Sequence, residues 1–173
     1  MPQQRVLKKI PLAGLPEEQR EADKSQPMAP PSPIFSEQQR SYVMSRVASK
    51  DTKPEKIVRS FLHRSGFRFR LHASSLQGKP DIVLTKHKTV IFVHGCFWHR
   101  HKKCKKATTP QSRKDFWKEK FKRNVLRDKK NRKALEKDGW RVQIVWECEL
   151  SNARKRLERL SNLVAELNHS AGT

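Results

Sequence analysis

A chain of 173 residues is long enough for one domain with a real core and too short for two large ones. Its 39 Lys and Arg against 17 Asp and Glu leave a net charge of +22, a surplus that points to a polyanionic partner such as nucleic acid or an anionic surface. No run approaches eighteen consecutive apolar residues, Met1 to Ile10 lack the apolar core of a secretory signal, and three cysteines are an odd count for a disulfide framework. A transmembrane helix is therefore excluded, no secretory signal is read, and a cytosolic location is expected.

Residues 1–34 hold seven of the ten prolines, no aromatic residue, and five Lys/Arg against four Asp/Glu. Such a segment buries too little apolar surface to offset its ordering entropy, and reads as a disordered Pro-rich tail. The remaining +21 falls on residues 35–173, so the basicity belongs to the predicted folded domain. Ser36 to Ser49 reads as a short helix opened by a Ser36/Gln39 capping box. A second helix begins after Thr52 at Pro54, buries Ile57, Val58, Phe61 and Leu62, and stops at Gly66. Phe67 to Leu71 alternates with period two, as a half-buried strand does; Ile82–Leu84 and Thr89–Val93 form a hairpin across Thr85–Lys88. A long helix runs from Ser112 to about Asp138 and ends at Gly139, followed by an alternating strand over Trp140–Trp146. Ala153, Leu157, Leu160, Val164 and Leu167 mark an amphipathic closing helix. The order α-α-β-β-β-α-β-α describes a small mixed sheet with helices on its faces.

Three stretches carry chemistry. Val93 to Cys104 packs three histidines, two cysteines and the adjacent Phe97 and Trp98 into twelve residues. Cys96, His101 and Cys104, with Cys148 from the later strand, make a Cys3His set of the kind that closes around a structural zinc. By spacing alone His99 competes with His101, and the same residues also read as free and buried cysteines without metal. Next, Gly78-Lys79-Pro80-Asp81 brings an acid to the start of a β-branched strand, which is how metal-dependent nucleases open their site and also how many ordinary turns look. The following strand offers Phe92-Val93-His94-Gly95, without a second acid or a lysine, so His94 or His99 must handle protons in such a site. Finally, Arg100 to Lys133 contains sixteen Lys/Arg against three acids, with Phe116, Trp117 and Phe121 interleaved. A basic helix flanked by aromatics suits a duplex, since apolar wedges beside cations insert between base steps.

Gly78-Lys79-Pro80-Asp81, Val90 to His101, Phe116-Trp117 with Asn124-Val125, and Gly139-Trp140-Arg141-Val142 to Trp146-Glu147-Cys148 together resemble the very short patch repair endonucleases. These bacterial enzymes nick DNA at T:G mismatches, and the likeness runs in unbroken order over residues 38–150. It implies a restriction-endonuclease-like α/β sheet flanked by helices, with a structural zinc site. By the same resemblance Asp81 and the backbone carbonyl of Val93 hold a catalytic Mg2+, His99 assists the attacking water, and His94 and Glu55 hold waters around the metal. Position 93 carries Thr in the family and Val here, a change that removes a hydroxyl and keeps the carbonyl. Cys96, His101, Cys104 and Cys148 become the zinc ligands. The resemblance makes Phe97, Trp98 and Trp117 the wedge beside the mismatch, met by Met44 from the other groove; Lys118 and Arg123, read from the basic helix itself, are expected to hold phosphates. The implied partner is double-stranded DNA with a T:G mismatch, with other mismatch-repair proteins nearby. The implied setting is a monomer in the bacterial cytoplasm, at the nucleoid. Two other readings fit the residues: a related nicking or restriction enzyme without mismatch requirement, and a zinc-stabilised DNA-binding module without catalysis.

Overall fold

The computed structural model describes residues 50–169, part of a unit that spans residues 46–173. The tail, the helix expected over residues 36–49 and Met44 lie outside the described residues. Helix α1 (Lys53–Arg64) begins where Thr52 caps it, with Glu55 reaching back to complete the capping box. It buries Glu55, Val58 and Leu62 and ends ahead of Gly66, whose φ of +87° suits a residue without a Cβ.

The expected strand over Phe67–Leu71 shrinks to β1 (Arg70–Leu71). The Phe67 N–H turns back to the Leu62 carbonyl at 3.0 Å and its ring plugs the core, so alternation here reflects a buried anchor, not a ladder. Strands β2 (Ile82–Leu84) and β3 (Thr89–His94) form the predicted hairpin, with Ile82 opposite Ile91. A single 3-10 turn over Thr85–His87 and a left-handed Lys88 connect them. Helix α2 (Lys114–Lys137) then crosses over to β4 (Arg141–Trp146), which lies parallel to β3 from Thr89↔Arg141 to His94↔Trp146. The α2 cap is Arg113 in a left-handed conformation in place of the expected Ser112. At the other end Gly139 supplies φ +75°, and the Trp140 N–H closes on Leu135 at 2.9 Å. A 3-10 turn, Glu147–Leu150, leads to α3 (Ala153–His169).

The sheet order is β1-β2-β3-β4, and both faces are covered. Ile82, Leu84, Ile91 and Val145 face α1 and α3, meeting Val58, Leu62, Leu160, Leu163 and Leu167. Val83 and Val90 face α2 and meet Leu135, with Phe92, Trp140 and Val142 at the margin. Because both faces are buried, Val145 is fully enclosed although its strand reads as half-polar. In α3 the stripe also differs from expectation: Leu163 joins the core, while Leu157, a turn ahead of the part that meets the sheet, is 62% exposed. No helix among the described residues is long and apolar enough to cross a membrane.

Candidate active site and metal centre

The parallel pairing of β3 with β4 builds one end of the site. Its register offset is 52 residues, from Thr89↔Arg141 to His94↔Trp146. Carried two residues past each strand end, the same offset matches Cys96 with Cys148. His101 returns to them through a turn closed by its N–H on the Cys96 carbonyl, 3.1 Å away. The His101 ring stacks on Trp146 with centroids 4.1 Å apart. Its Nδ1 then lies 3.2 Å from Cys148 Sγ and 3.7 Å from Cys96 Sγ. With Cys104, the four donor atoms fall within 4.8 Å of one another. A tetrahedron with Zn–S of about 2.3 Å and Zn–N of about 2.0–2.1 Å has edges of roughly 3.5–3.8 Å, near the two sulfur–nitrogen separations here, so the chemistry of this donor set fits zinc. Burial pushes the Cys96 thiol up to about 12 and raises Cys148, whereas the Lys106 N–H lowers Cys104. The two histidines that spacing left equivalent are separated here: His101 joins the sulfurs and His99 does not.

His99 instead turns toward α2, where its Nδ1 meets Asp128 Oδ2 at 2.6 Å. Its ring lies flat on that of His94, with centroids 3.8 Å apart and planes 10° from parallel. Burial, with the His99 charge beside it, pushes His94 down to about 3, so this imidazole is neutral at any working pH. For Asp128, burial acts to raise the pKa, but the His99 hydrogen bond and charge, with the Arg127 guanidinium, outweigh it and leave the carboxyl below its ordinary value. An ionised Asp128 accepts a hydrogen bond from the Nδ1–H and so favours the tautomer in which Nε2 of His99 carries the free lone pair.

Asp81, just before β2, accepts a 2.7 Å hydrogen bond from the Val93 N–H. Along a strand a residue's N–H and C=O share one side, so the Val93 carbonyl lies on the edge that Asp81 faces. Burial raises Asp81; the Val93 N–H opposes the rise and the Glu55 charge adds to it. Glu55 is 3% exposed. Its Oε1 accepts from the Thr52 hydroxyl and N–H, and its Oε2 from the Asp51 N–H and Arg59. Asp81 and Val93 are thus brought together, as are His94, His99 and Asp128, and the adjacency of Val93 and His94 on β3 links the two groups.

A third group borders these. Phe97 stacks edge-on against Trp98 (5.0 Å), Trp117 (5.5 Å) and the buried Phe121 (5.1 Å). Lys120 lies over the Trp98 ring, and Asn124 donates to the Trp98 carbonyl at 3.2 Å. Trp98 and Trp117 remain partly exposed on this anchored base, and Lys118 and Arg123 are exposed on α2.

Sequence reasoning missed Asp128, which it counted only as one of three acids diluting a basic run. Its partner lies 29 residues away in the chain, and no spacing within α2 signals it. It also missed Asp51, Arg59 and His72, which surround Glu55.

Residues 32–106 match the family model described as DNA mismatch endonuclease Vsr. The type II nicking enzyme V.NmeAIP of Neisseria meningitidis is 52% identical over 134 residues, 78% of this chain and 95% of the relative. The type II nicking enzyme V.XorIIP of Xanthomonas oryzae is 49% identical over 130 residues, 75% of this chain and 95% of the relative. The DNA mismatch endonuclease Vsr of Escherichia coli is 45% identical over 116 residues, 67% and 74% of the respective chains. With 45–52% identity at the aligned positions over 74–95% of these relatives' lengths, the chain belongs to the Vsr family of DNA mismatch endonucleases.

Proposed function

We propose that this Vsr-family DNA endonuclease nicks one strand of duplex DNA at T:G mismatches by Mg2+-dependent hydrolysis, leaving a 5′-phosphate and a 3′-hydroxyl. The observation that carries this reading is the His99–Asp128 pair at 2.6 Å, set against His94 on the strand that also binds Asp81. His99 Nε2 takes the proton of the attacking water, and Asp128 stabilises the imidazolium that forms. His94, neutral and stacked, holds the His99 ring in plane. Asp81 and the Val93 carbonyl would hold Mg2+, which when bound supplies positive charge for the developing phosphorane-like oxygens. Glu55 stands behind Asp81 as a fixed negative charge; any water it holds must displace one of its four present contacts. Cys96, His101, Cys104 and Cys148 would hold Zn2+ as a structural ion, fixing the segment that presents Phe97, Trp98 and His99. The chain then works in the bacterial cytoplasm on mismatched DNA, beside the other proteins of that repair.

A second reading has support from the relatives named as type II nicking enzymes: the same chemistry without a mismatch requirement. Nicking assays on matched and T:G duplexes with randomised flanks separate the two. A zinc-stabilised binding module without catalysis has no use for the His99–Asp128 pair, and a Mg2+ assay on supercoiled plasmid tests it directly.

The wedge makes its own prediction. Opening a base step costs a few kcal/mol, and less at a mispair. Trp98→Ala is expected to lower T:G cleavage and shrink the T:G-over-T:A ratio, with little change in salt dependence. Lys118→Ala or Arg123→Ala should weaken binding to every duplex and flatten the salt slope by roughly 0.9 each. An undiminished ratio in Trp98→Ala would make these aromatics ordinary packing. Removal of residues 1–34, which carry neither charge surplus nor apolar stripe, is expected to leave nicking within a few-fold. A loss as deep as that of an active-site variant would place the tail in the site.

A further inference from the structure

Close to Asp81, Asp51, Glu55 and His72 bring their ligand atoms within 4.8 Å of one another. Two carboxylates and an imidazole at that spacing are donors that suit a divalent cation. A cation of the chain's own stands among them. Arg59 places Nη2 2.6 Å from Glu55 Oε2 and 2.9 Å from His72 Nε2, and its Nη1 bonds Asp51. The side chain is 11% exposed, and its Nε is buried without a hydrogen-bond partner. A guanidinium that keeps one N–H buried and unmatched is held there by the charges around it.

The local sequence prepares this arrangement. Glu55 and Arg59 are four residues apart on one face of α1, and Asp51 turns back onto the helix through a left-handed backbone at φ 56°. The His72 N–H donates to the Asp81 carbonyl at 3.4 Å, which ties the cluster to the strand bearing the proposed metal ligand. The Arg59 hydrogen bond also holds Asp51 below the usual carboxylate range.

We propose that Arg59 is the resident cation of the Asp51/Glu55/His72 cluster, a positioning residue that keeps a divalent ion out of it and leaves Asp81 as the carboxylate open to metal. The inference rests on the reading of Asp81 given above. With the guanidinium in place, the two oxygens of Glu55 have all of about four lone-pair directions engaged. Without it, two carboxylates and an imidazole stand unneutralised and can take a divalent ion of their own.

Mn2+ bound per chain, counted by electron paramagnetic resonance on the full DNA-free protein, tests this without reference to activity. Arg59→Gln is expected to bind one more Mn2+ than wild type. Arg59→Gln/Asp51→Asn is expected to lose that additional ion, and Arg59→Lys, which keeps the charge, to gain none. Asp51→Asn alone should leave the wild-type count unchanged. No gain in a folded Arg59→Gln protein, or loss of an ion from wild type on Asp51→Asn, overturns the proposal. If Arg59→Gln does not fold, the Asp51→Asn comparison decides, an equal count supporting the proposal and a loss overturning it. Asp81→Asn is the separate arm: an unchanged count there defeats the Asp81 reading, while the Arg59 comparison still gives its own answer.

Discussion

Asp81→Ala is expected to lower nicking by a factor of about 1,000 or more while duplex affinity stays the same or rises slightly. A metal acting as Lewis acid contributes several kcal/mol to the transition state, and each 1.4 kcal/mol or so is tenfold in rate. Asp81 is the carboxylate bonded to the Val93 N–H on the β3 edge, and Glu55 beside it has its acceptor directions already engaged. Nothing in the described residues offers a second acid bonded to that strand edge. Removing one negative charge from a chain of +22 does not weaken its hold on a polyanion. Asp81→Asn is the sharper form of the experiment. An amide oxygen still accepts the Val93 N–H, so the strand edge is kept while the charge is lost, and nicking should fall as far as in the alanine variant. His99→Ala provides the scale, since loss of a general base costs roughly 100- to 10,000-fold. Mg2+-dependent cleavage by Asp81→Asn within tenfold of wild type would remove Asp81 from the reaction.

What could be read in advance divides along physical lines. Local signals were legible where a residue acts on its own neighbours: Thr52 with Glu55 at the α1 cap, Gly66 and Gly139 at helix ends, and the hairpin between Ile82 and Val93. Asp81, His99 and the cysteines could be picked out as candidates by residue type, but spacing alone left Asp81 an ordinary-turn reading, His99 level with His101 and the cysteines a metal-free reading. Where burial decides, the pattern misled. Phe67 to Leu71 alternates because Phe67 anchors the core after α1, and only two of its residues find a ladder partner. Leu157 keeps the α3 period yet lies outside the region that the sheet covers. Partners set by register or crossover were invisible. Asp128 meets His99 across 29 residues because α2 returns over the sheet, and no local pattern in a basic helix encodes that distance. Arg59 and His72 are 13 residues apart and meet only because β1 folds back beside β2.

The sulfur cluster shows the same logic and supports the second large prediction: Cys148→Ser is expected to abolish zinc binding and lower the thermal midpoint by roughly 10 °C or more. Loss of a structural metal is among the few single changes that exceed about 4 kcal/mol, and in a domain of this size each 1 kcal/mol moves the midpoint by roughly 2–8 °C. Cys148 contributes from the 3-10 turn that follows β4, whereas Cys96, His101 and Cys104 all follow β3. It is thus the ligand through which a metal ties the loop to the neighbouring strand. The effect should reach beyond stability. Phe97, Trp98 and His99 lie between Cys96 and His101, so a slack loop loosens both the aromatic group on Phe121 and the His99–Asp128 bond. Nicking should therefore fall in Cys148→Ser even below its melting temperature, with a smaller loss of affinity, because the cations of α2 stay in place. Elemental analysis of the purified chain, expected at about one zinc per molecule, and melting curves with and without chelator check each step. Wild-type protein that is fully folded and free of zinc, with a midpoint unmoved by chelator, would make the three cysteines and His101 a packed but metal-free cluster.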